Sequence, residues 1–234
     1  MKLISFTLYG KDPKYVTGMF KNVALQKEFY PDWNIIIYHD NSVDQDTLDK
    51  LSEHCILKNV EGYGVSAASW RFLAHDEDCE RFIVRDSDSR ISQREATAVA
   101  EWEESNKTLH IMRDHPHHGH AILGGMWGMK KDANLKSMKN LILSYQNTEY
   151  HATDRNVWIM KDMHFLRDVI YPNYAPDNSM IHNAKDFMHK VPWKCEDSAV
   201  DFSTPRNGDK NFVGEIFVFD EQGHEKREYQ YKEL

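Results

Sequence analysis

Two short apolar runs separated by one helical stretch are the tightest constraint on how this chain can fold. Residues 3–9, LISFTLY, are almost continuously apolar and end at Gly10, the pattern of a strand covered on both faces in a parallel sheet. Residues 14–29 place Tyr15, Met19, Phe20, Val23 and Leu25 at roughly helical spacing, and Pro31 stops that helix. NIIIYH at 34–39 is a second apolar strand, followed by Asp40 and Asn41. DTLDKLSEHC reads as an amphipathic helix capped by Asp46, and residues 56–60 as a third strand. This β-α-β-α-β order predicts an α/β fold: a doubly wound, mostly parallel sheet with helices on both faces.

The pattern continues with a GYG turn at 62–64, a short helix from Ser66 to Ala74, and a fourth strand, RFIVR, at 81–85. Residues 92–105 read as a helix, with Ser92 and Glu95 as a capping box and Trp102 on its inner face. LHIMR at 109–113 is strand-like, and the glycine-rich stretch 114–128 reads as a loop. Helices are expected over 133–144 and 154–168. From 171 onward, Pro172, Pro176, Pro192 and Pro205 punctuate an irregular stretch, with a last strand expected at 212–218 and a polar tail after Asp220. Nothing repeats and no linker composition appears, so one domain over 1–234 is expected.

A formal net charge of -8 argues against a nucleic-acid partner. The opening MKLISFTLYG runs straight into Lys11 and Asp12, unlike a signal peptide, and no apolar run reaches the roughly 20 residues of a membrane span. A soluble, cytoplasmic protein with no transmembrane segment is the expectation. Cys55, Cys79 and Cys195 fit neither a zinc spacing nor a disulfide framework and are expected as free thiols.

Asp86-Ser87-Asp88 follows the fourth strand, and ligands of open α/β sheets collect at the carboxyl ends of the strands. Two carboxylates one residue apart at such a place can face one cation, and Mg²⁺ or Mn²⁺ takes hard oxygen ligands while sharing its shell with phosphates. An isolated Asp-x-Asp is common in solvated turns; its position after the fourth strand singles this one out. Arg85 and Arg90 flank it, as phosphate contacts or as surface ion pairs.

The stretch from Arg85 to Lys130, RDSDSRISQREATAVAEW followed by HIMRDHPHHGHAILGGMWGMK, resembles the central signature of a family of small GT-A glycosyltransferases of bacteria and large viruses. SWRFLA (69–74), TDRNVW (153–158), IHN (181–183) and FVGEIF (212–217) extend the likeness over most of 60–217. The resemblance implies a single GT-A, Rossmann-like domain, with a nucleotide-sugar-binding half at 1–113 and an acceptor half at 114–220. It implies a nucleotide-diphosphate sugar donor (a UDP-sugar favoured), Mn²⁺ or Mg²⁺, and a glycan or glycoprotein acceptor.

Residue by residue, it implies Asp86 and Asp88 as metal ligands, with His182 as the third and His189 competing for that place. Asn183 stands where an aspartate is expected. Arg71 would lie near the donor's phosphates or sugar, or form a helix-surface ion pair. Tyr9, Gly10 and Asp40 would receive the base and ribose. Gly124, Gly125 and Trp127 would line the sugar pocket, with the Trp face against the sugar, or else form a turn around a packed Trp. His115, His117, His118 and His120 would be an exposed loop at the acceptor entrance. Asp154 would bind sugar hydroxyls, act as the catalytic base, or simply cap its helix; Arg155 replaces an expected Gln. Retaining and inverting chemistry both remain open. The rival readings are a nucleotidyltransferase, for which LYGKDPK lacks the glycine-rich phosphate loop, and a non-catalytic sugar-nucleotide-binding domain.

Overall fold

The computed structural model describes residues 1–147, 161–184, 199–206 and 211–228. In chain order the elements are β1 (Lys2–Leu8), α1 (Pro13–Phe29), β2 (Asn34–His39), α2 (Gln45–Ser52), β3 (Ile56–Asn59), a 3₁₀ helix (Ala67–Asp76), β4 (Arg81–Val84), α3 (Gln93–Glu104), β5 (Leu109–Arg113), β6 (Trp127–Lys130) and α4 (Met138–Gln146). There follow α5 (Lys161–Phe165), a π-helical turn (Leu166–Ile170), α6 (Tyr171–Tyr174), β7 (Ser179–Asn183), β8 (Phe217–Phe219) and β9 (Glu225–Arg227). The first seven strands form one sheet in the order β3-β2-β1-β4-β6-β5-β7, and β8-β9 make a separate hairpin. Every pairing in the large sheet is parallel except the two made by β6. The expected mostly parallel α/β sheet is therefore what the chain forms.

The sheet separates two cores. Ile4, Phe6 and Leu8 of β1 pack with Met19 and Val23 of α1 and with Val99 and Trp102 of α3 on one face. Leu3, with Phe72, Trp127, Ile142 and Phe165, builds the core of the other face. The strand alternation of β1 thus feeds both layers. On the second face its run is broken by two hydroxyls that have a structural job. Ser5 Oγ donates to the Arg71 carbonyl at 2.6 Å, and the Arg71 N–H donates to Thr7 Oγ1 at 3.1 Å. These two bonds hold the 3₁₀ helix, buried from Ser69 to His75, against β1.

Several expectations change at this point. The cap position of α2 is Asp44, with Asp46 in its first turn. The segment expected as a short α-helix at 66–74 is 3₁₀, and the expected helix over 133–144 is α4 at Met138–Gln146. Ser92 caps α3 by accepting the Glu95 N–H, but the Glu95 carboxylate does not return to Ser92. It is buried and takes Arg85 Nε at 2.8 Å, so only half of the capping box forms. Removing one member of such a buried pair strands the other charge and costs about 3–5 kcal/mol. Trp127 is not in a loop: WGMK is a strand inserted between β4 and β5, and the indole is fully buried against Phe72 and Phe82. The stretch after 171 holds a further strand, β7, paired with β5, while 212–218 is strand only from Phe217. Cys55 and Cys79 are free thiols; Cys195 lies outside the described residues. Among the described residues no helix is long and apolar enough to cross a membrane.

Behind β5 and β7 runs a buried polar chain. His110 Nε2 lies 2.9 Å from His182 Nδ1, and His182 Nε2 lies 2.8 Å from Glu101 Oε2. Glu101 accepts from His182, so His182 Nδ1 accepts from His110 and both rings are neutral. Burial pushes both histidines below their ordinary range. In the 114–120 loop, burial likewise lowers His115 to about 4 and His118 to about 3. Unfolded histidines take up protons near pH ~6.5, whereas these folded ones do not. Their contribution is complete above that pH and is lost as pH falls below it. Chemical denaturation should give constant stability above pH ~7 and a steep decline between pH ~6.5 and ~4; a flat profile there would contradict neutral buried rings.

Candidate functional site

The strand order runs outward from β1 to β3 and then returns to β4 beside β1. That reversal opens a crevice at the carboxyl ends of β1 and β4, where ligands of doubly wound sheets bind. Asp86-Ser87-Asp88 leaves β4 at this edge. A cavity of ≈ 250 Å³ is lined there by Thr7, Tyr9, Tyr15, Arg71, Asp86 and Asp88 among others. A second of ≈ 380 Å³ shares Arg71, Asp86 and Ile216 with it and extends to Gly124, Gly125 and Asp162. The two chambers form one cleft, with Asp86 between them.

The acidic loop is held by one face of α1. Lys14, Gly18 and Asn22 are spaced four apart and so lie one above another on the helix. Asn22 Nδ2 donates to the carbonyls of Ser87 at 3.4 Å and Ser89 at 2.9 Å, and Asn22 Oδ1 accepts the Ile91 N–H at 3.0 Å. A Cβ on Gly18 would overlap the Ser87 carbonyl oxygen, so helix and loop are in direct backbone contact. At the top of the stripe Lys14 Nζ pairs with Asp88 Oδ2 at 3.0 Å.

The two carboxylates differ in setting. The Asp86 side chain is 40% exposed into the cleft and pairs with Arg71 Nη1. Asp88 is buried, and that burial, followed by the neighbouring Asp86 charge, raises its pKa above the ordinary carboxylate value despite Lys14. Arg71 also reaches Asp162 Oδ2 of α5 at 3.3 Å, so one guanidinium bridges two acids. Burial raises Asp162 as well, with Arg71 opposing the shift. Gly124 and Gly125 are required here by space: a Cβ on Gly124 would overlap Asp162 and Arg71, and one on Gly125 would overlap the Asp86 carboxylate.

The base-side residues form a looser group. Tyr9, 47% exposed, stacks on Tyr15 with centroids 6.5 Å apart and meets the edge of Trp70. Gly10, at φ +68°, donates its N–H to Ser42 Oγ at 2.6 Å, and Ser42 in turn donates to Asp40. Asp40 thus ties the loop after β2 to the end of β1, and it lines a separate hollow rather than the chamber holding Asp86.

Other expected site residues sit elsewhere. His182 uses both ring nitrogens inside the His110–Glu101 chain and does not join the two aspartates, so the third-ligand reading does not hold for it. Among the described residues no third His, Cys, Asp or Glu completes a metal cluster. Asn183 accepts from Arg113 Nη1 at 3.2 Å. Trp127 is sealed in the core and offers no face to a ligand. Arg85 is buried on Glu95, and Arg90 pairs with Glu225 at 2.6 Å, so neither is directed at a phosphate. His115 and His118 are buried, not exposed, although with His117 they line the second chamber. His115 stacks on Phe212 with centroids 4.3 Å apart. Asp154 and His189 lie outside the described residues.

Sequence reasoning missed Lys14 and Asp162. Asp162 carried little signal, an acid in the first turn of a short helix beside Lys161. Lys14 had a subtler one: a cation in the first turn of a helix, where the helix dipole disfavours it.

The donor set suits a hard divalent cation: two carboxylate oxygens beside a cleft, one of them partly desolvated by its neighbour. With no third side chain among the described residues, water and phosphate oxygens would fill the remaining positions, as Mg²⁺ commonly arranges.

No protein-family model matches the chain, and no curated protein matches it in sequence. Among solved structures, the chain is similar to a mannosyltransferase of Pyrobaculum calidifontis in complex with GDP-Man and Mn²⁺ (12% identity, 55% of this chain and 44% of that one, TM-score 0.44). It is similar to a glycosyltransferase involved in glycosylation of the major capsid of PBCV-1 (16%, 78% and 81%, 0.49). A third is the glucosyl-3-phosphoglycerate synthase of Mycobacterium tuberculosis (10%, 78% and 69%, 0.48). The chain spans less than half the length of the first of these and about four fifths of the second. Likenesses this distant assign no chemistry to this chain.

The contact between α1 and the acidic loop has a sign test. In a free helix Gly→Ala gains about 1 kcal/mol. Here Gly18→Ala should instead destabilise the protein, by about 1–3 kcal/mol on denaturant unfolding, because the added methyl drives into Ser87. A stabilised variant would show that helix and loop are not in contact.

Proposed function

We propose that this chain is a GT-A-type glycosyltransferase that moves a sugar from a nucleoside-diphosphate donor to an acceptor hydroxyl, using a divalent cation held by Asp86 and Asp88. The observation that carries this reading is the Asp86–Asp88 pair at the sheet's reversal point, with Asp86 on the wall common to two joined chambers and Asp88 lining the first of them. The arrangement divides the donor naturally. The chamber beside Tyr9 and Tyr15 takes the nucleoside, on ring faces suited to stacking a base. The diphosphate lies at the aspartate pair, and the sugar enters the chamber walled by Gly124, Gly125 and Asp162. The donor-binding half, 1–113, and the acceptor half, 114–220, meet across this cleft.

When bound, the cation supplies Lewis-acid stabilisation of the charge that builds on the departing diphosphate. The chain's own residues do the rest. Arg71, fixed by Ser5 and Thr7, stands between the chambers with its charge already oriented. Asp162, held by Arg71 in a poorly solvated corner, is a carboxylate beside the sugar. It accepts hydrogen bonds from hydroxyls there. Gly124 and Gly125 keep the pocket wall at backbone thickness, which lets a sugar ring approach Asp86.

Incubation with a panel of UDP-, GDP- and dTDP-sugars and Mn²⁺ tests the reading. Free nucleoside diphosphate should appear with at least one donor, and its release should fall at least about 100-fold in Asp86→Ala and in Asp88→Ala. No release and no Mn²⁺-dependent nucleotide binding would favour an inert binding module; pyrophosphate formation from a sugar phosphate and a nucleoside triphosphate would favour a nucleotidyltransferase.

A further inference from the structure

Each aspartate of the pair already has a cationic partner from within the chain: Arg71 for Asp86 and Lys14 for Asp88. Their circumstances are unequal. Arg71 is buried, its backbone is held by two hydroxyls, and its guanidinium already bridges Asp86 and Asp162. Lys14 is held through its ammonium, at the end of a long unbranched stem. Its side chain is 20% exposed, its ammonium lies over the Tyr15 ring at 5.3 Å, and a second carboxylate, Glu228, stands 3.9 Å away. It also occupies the first turn of α1, directly after Pro13, where the carboxylate of the capping Asp12 accepts its backbone N–H at 2.9 Å. A lysine there serves Asp88, and its flexible stem allows it to leave.

We infer that Lys14 is an exchangeable counter-ion: it occupies Asp88 in the free protein, yields that carboxylate to the divalent cation, and then pairs with the donor's diphosphate. This rests on the proposed function and adds a regulation of its metal site. Two positive charges cannot share Asp88 cheaply, so Lys14 and the cation compete in the absence of nucleotide. Once a diphosphate is bound the ammonium has a new anionic partner, and the same lysine then favours the complex. Metal alone should bind weakly, and metal with nucleotide together much better. The site is thereby kept from holding an idle cation.

The two halves of this inference predict opposite signs for one substitution, which a merely structural lysine would not produce. Calorimetric titration with Mn²⁺ alone should show Lys14→Met binding about tenfold tighter than the unmodified protein. Titration with UDP or GDP in saturating Mn²⁺ should show the same variant binding about tenfold more weakly. Lys14→Arg, which keeps the charge and guards against a folding artefact, should stay within about threefold of the unmodified protein for Mn²⁺ alone. Unchanged or weaker Mn²⁺ binding by Lys14→Met would overturn the exchange while leaving the glycosyltransferase reading intact. Absence of Mn²⁺ binding in both proteins, with and without nucleotide, would overturn both.

Discussion

Two like charges held one residue apart at the end of a strand are the constraint on which the rest of this structure depends. A pair of carboxylates left to itself turns outward into water. Here the loop cannot turn. Asn22 pins its carbonyls, the missing side chain of Gly18 brings α1 into contact with its backbone, and Gly125 crowds Asp86 from the opposite wall. Burial, and after it the Asp86 charge, raise the pKa of Asp88, and Lys14 and Arg71 oppose the shift. The fold therefore uses its first helix, its first strand and a glycine pair to keep the two aspartates at one cleft.

Much of this was legible in the sequence because its first half is locally consistent. The apolar runs at 3–9, 34–39 and 81–85 became β1, β2 and β4, and the sheet is parallel where the alternation with helices required it. Asp86, Asp88, Arg71, Gly124 and Gly125 do meet at one cleft. What was hidden depends on partners distant in sequence. WGMK is four residues long with a central glycine and carries no strand signal; its hydrogen bonds come from β4 and β5, and with them Trp127 becomes core. SMIHN lies among prolines, and only pairing with β5 reveals it as β7, which buries His182 between His110 and Glu101.

The same logic explains Lys14 and Asp162. Neither residue's role shows in its neighbours, because each takes its charge partner from elsewhere: Asp88 across 74 residues, Arg71 across 91. Such distant partners are what a sequence does not display. They become readable once the topology shows which strand ends converge.

The central claim, that the pair at 86 and 88 seats a divalent cation against a nucleoside diphosphate, is tested most directly by diffraction. Crystals grown with Mn²⁺ and UDP or GDP should be measured at a wavelength where manganese scatters anomalously. The account predicts one strong peak within coordination distance of carboxylate oxygens from both Asp86 and Asp88, bonded also to phosphate oxygens, with the Lys14 ammonium moved off Asp88. A nucleotide bound elsewhere, or manganese absent from these two side chains, would contradict it.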